Sequence, residues 1–215
     1  MNDESLHVAV VDIGSLANLG WAVEGPSVEE SGTDIDVCVE VLARAMKNGP
    51  LALGFEGPMF VPYGRKRCNL DKCRKGEGDR AFGAAAGACV LAKGLVIAPY
   101  ILEGLKCRIK VARPTFNWRS QLSRQDLLLF EAFVTHVGKS ISHKECAKLA
   151  IGQFLRGWQN RASFESAVEE RCTMNLLGAM LLRMGWTDDL AMLSKPCLVV
   201  RHKGSSKLTD NPHSR

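Results

Sequence analysis

Residues 7–23 read HVAVVDIGSLANLGWAV. From Val8 to Val11 every residue is apolar. A strand of that kind buries both faces, as strands do in the middle of a covered sheet. It runs straight into Asp12 and, two residues on, Gly14. GSLANL then reads as a turn and GWAVEG as a second strand, so residues 7–25 predict a hairpin. A carboxylate at the end of a buried strand is the feature to explain.

The same pattern returns twice. LALGFEGP, residues 51–58, is an apolar strand that runs into Glu56, and QDLLLFEAF, residues 125–133, is another that ends near Glu131. Between the first two lies TDIDVCVEVLARAMKNGP, with Ile35, Val39, Leu42 and Met46 at helical spacing. Thr33 or Asp34 can cap that helix, and Gly49-Pro50 stops it. GDRAFGAAAGACVLAKGL and SHKECAKLAIGQFLRG read as further helices, and SFESAVEERCTMNLLGAMLLRMGW, residues 163–186, as the longest one. PCLVVRHKG is a late strand. Strands alternating with helices predict an α/β fold, a mixed central sheet with helices on both faces. The chain reads as one domain over residues 1–203 with a flexible polar tail, 204–215.

Composition sets the class. Of 215 residues, 46% are hydrophobic and 24% charged, enough for a packed core and unlike a disordered chain. The formal net charge of +5 is compatible with a nucleic-acid partner without implying one. Eight cysteines, several in apolar stretches such as AAAGACVLA, read as reduced thiols of a cytoplasmic protein. Cys68 and Cys73 are the one close pair, and no second pair or nearby His completes a zinc set. MNDESLHV is acidic and polar, unlike a signal peptide, and no apolar run reaches the ~20 residues that span a bilayer. The expectation is therefore a cytoplasmic protein with no membrane partner.

If the strands ending on Asp12, Glu56 and Glu131 are parallel neighbours, three carboxylates meet beyond their carboxyl ends, where α/β sheets place their sites. Two such charges ~4 Å apart repel by roughly 4 kcal/mol at an effective dielectric of 20. The cluster then needs a cation, a shared proton, or both. Oxygen ligands favour Mg²⁺ or Mn²⁺. On the predicted long helix, Glu165 and Glu169 share a face and flank the apolar stripe Phe164, Val168, Cys172, Ala179, Leu182 and Trp186, which also contains Asn175. The loop GRKRCNLDKCRK follows the Glu56 strand and carries Arg65, Lys66, Arg67, Lys72, Arg74 and Lys75, candidates to grip phosphates. RPTFNWR, residues 113–119, sets two aromatics among arginines, where bases can stack or the rings can simply be buried. His7, His136, His143, His202 and His213 are scattered, and no Gly-x-Ser-x-Gly, P-loop or Gly-x-Gly-x-x-Gly accompanies them.

With VVDIGSLANLGWAV and ALGFEGP in place, the chain resembles the ribonuclease H-like superfamily. There the first strand carries an Asp and turns into an antiparallel second strand, and a later central strand carries another acid. FEGPMFVPYGRKRCNLD and LLLFEAF are similar to a group of predicted ribonuclease H-like nucleases within it. The resemblance implies a metal-dependent hydrolysis of phosphodiester bonds in DNA or RNA, in which Asp12 bridges two Mg²⁺ or Mn²⁺ ions, Glu56 holds one, and Glu131 or Glu169 the other. It departs from the family in MNLLGAM, which puts Asn175 where an acid belongs; its side-chain carbonyl can still hold a metal, without charge. Either Glu165 or Glu169 replaces that acid, or the site is depleted and the protein is an inactive module that binds nucleic acid or protein. A small-molecule phosphohydrolase using the same carboxylates is the third reading. Oligomeric state is open.

Overall fold

The computed structural model describes residues 5–70, 72–77, 82–83, 85–135, 142–170 and 172–203. The tail at 204–215, His136 and His213 lie outside them. The protein is α/β. A seven-stranded mixed sheet contains β1 (His7–Asp12), β2 (Gly20–Gly25), β3 (Val28–Gly32), β4 (Leu51–Glu56), β6 (Arg113–Thr115), β7 (Asp126–Thr135) and β9 (Val199–Lys203). The order is β3-β2-β1-β4-β7, and β6 and β9 pair with successive segments of β7's other edge. β2 runs antiparallel to β1 and to β3, while β1, β4, β7, β6 and β9 are parallel. A small antiparallel pair, β5 (Phe60–Pro62) with β8 (Thr173–Asn175), stands apart from this sheet.

Helices cover both faces. α1 (Ile35–Asn48) and α2 (Ala85–Arg108) pack on one, burying Leu42, Met46, Ile101, Leu102 and Leu105 against Val11, Leu53, Phe55 and Leu129. α3 (His143–Trp158) packs on the other, burying Ala147, Ile151, Phe154 and Trp158 against Val10, Ala52, Leu128 and Phe130. The central strands thus contribute alternate residues to two cores, which is why their sequences are continuously apolar. α1 starts where expected: Asp34 accepts from the backbone N–H groups of Asp36 and Val37. α3 starts on a capping box between Ser142 and Glu145.

Two predicted elements differ. α2 is the longest helix, running on past Leu95, where the predicted helix ends, through Pro99 to Arg108. Residues 86–108 are long and apolar enough to cross a bilayer by length and composition, contrary to the sequence expectation, but Ile97, Ala98, Ile101, Leu102 and Leu105 are already buried against protein. The second difference is the predicted helix at 163–186. Among the described residues there, only α4 (Leu176–Arg183) is α-helical. The segment before it sends its backbone bonds sideways: Ala167 N–H to Val199, Glu169 N–H to Lys75, and the Cys172 carbonyl to Tyr63 N–H. Phe164 and Val168, four apart, resemble one helical face, yet Phe164 enters the core under α3 and Val168 the core under α1 and α2. The spacing of four there reflects a strand of loop reaching both cores.

Candidate functional site

β1 and β4 are in parallel register with Asp12 directly opposite Glu56. Both side chains therefore leave the same face, at the carboxyl ends of two central strands. α3 supplies the rest. Its first residue, His143, places Nδ1 2.7 Å from Asp12 Oδ2. One turn on, on the same side of the helix, Cys146 brings Sγ to the pair. One ligand atom each from Asp12, Glu56 and Cys146 lie within 4.8 Å of one another. Gly20, the β2 partner of Asp12, makes this approach possible: a Cβ there would sit 2.3 Å from the His143 carbonyl carbon and 2.5 Å from Lys144 N. No other residue type lets the start of α3 rest so closely on the sheet.

Burial dominates the electrostatics. It raises Asp12 above the ordinary carboxylate range, opposed in part by His143. It raises Glu56 well above that range, and the neighbouring Asp12 charge pushes further in the same direction. The Cys146 thiol is pushed up to about 12 by burial and by the two carboxylates. Glu56 Oε1 accepts from Val134 N–H at 3.1 Å, while its Oε2 is shielded from solvent and has no donor. Two ionised carboxylates cannot donate to each other. The arrangement is relieved by one proton held between them or by a cation.

The pair opens onto a cleft of about 120 Å³ that is also lined by Gly57, Pro58, Arg74, Glu77, Phe82, Val90, Phe133 and Val134. A larger hollow, about 250 Å³, lies at the amino end of the strands between Leu6, Pro50, Arg124 and Trp158, and no acid, His or Cys lines it.

Glu131 does not join the pair. Ala132, not Glu131, is opposite Glu56, so Glu131 leaves the sheet on the other face. There it is fully buried and grips Arg74 through two bonds, 2.6 Å and 2.9 Å, and Met59 N–H at 3.0 Å. Arg74 also bonds Glu77 through Nε and Nη2 and the Phe60 carbonyl through Nη1. All five of its N–H groups are thereby used, and none is left for a phosphate. Burial pushes Glu131 up against the opposing pull of Arg74. In Arg74, burial acts downward but is outweighed by Glu131 and Glu77, and the guanidinium stays charged.

The acids of the supposed long helix are elsewhere. Glu165 is exposed and pairs with Arg119, and Glu169 is exposed and pairs with Lys75. Asn175 is fully buried, but its amide is spent on structure: Oδ1 caps α4 by accepting from Gly178 N–H, and Nδ2 donates to the Lys195 carbonyl. α4 itself carries no acid. Of the basic loop, Arg65 is folded inward onto the carbonyls of Asn69, Lys72 and Cys73 and onto Glu170. Lys66, Arg67 and Lys72 are exposed. Phe116 and Trp118 are buried, with Trp118 Nε1 donating to Phe164, so their rings are closed to bases. Cys89, expected inside, is exposed, and only Cys38 and Cys197 are fully buried; all eight thiols are free.

His143 and Cys146 were the residues sequence reasoning passed over. Their signal was present in SHKEC: a capping box fixes the helix start, and residues three apart then share its first-turn face. No protein-family model, curated protein or solved structure matches this chain.

Proposed function

We propose that Asp12 and Glu56 form the cation-binding centre of a ribonuclease H-like hydrolase acting on phosphodiesters. The observation that carries this is the register-matched pair at the ends of β1 and β4, with the shielded Glu56 Oε2 lacking any donor. An Asp on the first strand, an antiparallel second strand and an acid on the central strand support the superfamily reading. A divalent ion bound there supplies Lewis-acid stabilisation of charge on a phosphoryl oxygen. The chain's own residues orient and prepare the site. His143 Nδ1 steadies Asp12 by bonding its Oδ2. Val134 N–H steadies Glu56. With Glu131 on the opposite face, and Glu165 and Glu169 at the surface, two carboxylates support one ion better than two.

One observation favours a narrower substrate, a small phosphoester. The cleft is about 120 Å³, Arg65 and Arg74 are already engaged within the protein, and Lys75 sits in a surface ion pair with Glu169. Incubation with Mn²⁺ or Mg²⁺ and, separately, single-stranded DNA, single-stranded RNA and bis(p-nitrophenyl) phosphate distinguishes the readings. Cleavage of any of these that is lost in Asp12→Asn and kept in Glu169→Gln supports the hydrolase, and the preferred substrate tells polymer from small ester. Equal activity in wild type and Asp12→Asn sinks it. Calorimetric binding of cation without turnover moves the inactive binding module ahead.

A further inference from the structure

The donor set at the carboxylate pair is not made of oxygen alone. Cys146 Sγ shares a space under 4.8 Å across with oxygens of Asp12 and Glu56. It is brought there by the first turn of α3, whose position rests on the lack of a side chain at Gly20. Among the described residues this is the one group of three such donors set so close. A second observation points to a ligand: Glu56, one of the three donor residues, has an oxygen, Oε2, that is shielded from water and has no hydrogen-bond partner.

We propose that Cys146 is itself a metal ligand and that the centre takes a borderline transition-metal ion, of which Zn²⁺ is the type, in preference to Mg²⁺. This rests on the reading of Asp12 and Glu56 as a cation site. The chemistry is that of the donors. Mg²⁺ demands octahedral oxygen coordination and keeps several waters, and a sulfur on one side of the site offers it nothing. Zn²⁺ and Co²⁺ accept mixed sulfur, oxygen and nitrogen donors around a tetrahedron. Bonds of about 2.0–2.2 Å to oxygen and 2.3 Å to sulfur hold donors close to the spacing already present, so small side-chain rotations complete the set. Three protein ligands leave a fourth position open toward the cleft, the arrangement of catalytic rather than structural zinc sites. His143, bonded to Asp12 Oδ2, orients that carboxylate from behind. On ligation the S–H bond is exchanged for a sulfur–metal bond and its proton passes to solvent.

The test is a Co²⁺ titration of the full chain followed by absorption spectroscopy, with Zn²⁺, Mn²⁺ and Mg²⁺ as competitors, on wild type, Cys146→Ser and Asp12→Asn. The expected result is a sulfur-to-cobalt charge-transfer band in wild type that is absent from Cys146→Ser. Zn²⁺ should displace the Co²⁺ and should bind Cys146→Ser at least tenfold more weakly, while Mg²⁺ fails to compete in thousandfold excess. X-ray absorption at the zinc edge of the wild type should find one sulfur in the first shell, a reading that needs no variant to fold. Tight Mg²⁺ or Mn²⁺ binding that is equal in wild type and Cys146→Ser, with no sulfur band, overturns the inference and leaves the carboxylate site standing. No binding of any divalent ion overturns both. A sulfur-bound ion in a protein that cleaves no phosphoester upholds the inference and removes the hydrolase.

Discussion

Glu56 concentrates the physics of the site in one side chain. One oxygen is held by Val134 N–H, the other is shielded and bare, and burial together with Asp12 raises its proton affinity. A carboxyl raised in the folded state contributes stability that is fully present at pH values below the unfolded value and is lost as pH rises through the folded one. Glu56→Gln keeps the acceptor for Val134 and cannot ionise. In the cation-free protein the variant should therefore melt at a higher temperature than wild type at pH 8, the gap closing as pH falls into the ordinary glutamate range. Differential scanning calorimetry at several pH values checks this, and a wild type that is the more stable at pH 8 refutes it. Added cation should reverse the order, because only the carboxylate binds it. Asn175 is the opposite case, a buried polar residue whose duties are entirely structural. Asn175→Ala removes the α4 cap and should cost about 1–2 kcal/mol, with cation affinity as in wild type. A calorimetric loss of affinity in that variant would put the amide among the ligands.

At the scale of elements, the loop between β5 and α2 is fastened by the buried group Arg74, Glu77 and Glu131. Arg74 reaches from the loop to β7, and Glu77 N–H and carboxylate fold back onto Arg74. Gly76 next to it adopts a positive φ of 91°, with the Ala167 carbonyl where a Cβ would be. Removing the guanidinium strands two buried carboxylates. Arg74→Ala should therefore lose about 3–5 kcal/mol, as breaking a buried pair does, read from urea denaturation. Glu131→Gln leaves Arg74 balanced by Glu77 and should lose less. If Glu131→Gln costs more than Arg74→Ala, the network is not held together by this charge balance. The sequence showed Arg74 as one of six loop cations and could not show that its donors turn inward, since that depends on where β7 lies.

For the whole molecule, charge and shape bear on what it binds. Of the loop cations, Lys75 is exposed but paired with Glu169, and Lys66, Arg67 and Lys72 are exposed. If the substrate is a polynucleotide, changing all three to Ala should weaken binding and flatten its dependence on salt by about one unit of slope per lost phosphate contact, with unfolding unchanged. Fluorescence anisotropy over a salt series measures this; an unaltered slope would direct attention to the small-ester reading. The exposed apolar side chains on α2, Val96 and Tyr100 among them, lie on the face away from its core contacts.

Much of this architecture was written locally. VAVV and LALGF read as buried strands, DIDVCVEVL as an amphipathic helix behind a Thr33 or Asp34 cap, and the acids at 12 and 56 were legible because each closes an apolar run. Pairing register was not. A shift of one residue turns a side chain to the other face of a sheet, and nothing within LLLFEAF tells whether Glu131 or Ala132 faces Glu56. The same limit applies at 163–175, where apolar residues four apart serve two cores and not one helix. Register and crossing are settled by how α1, α2 and α3 pack on the two faces, contacts between residues far apart in the chain. The tertiary structure thus removed Glu131, Glu165, Glu169 and Asn175 from the site and put His143 and Cys146 there, because α3 can settle against the bare backbone of Gly20 beside Asp12.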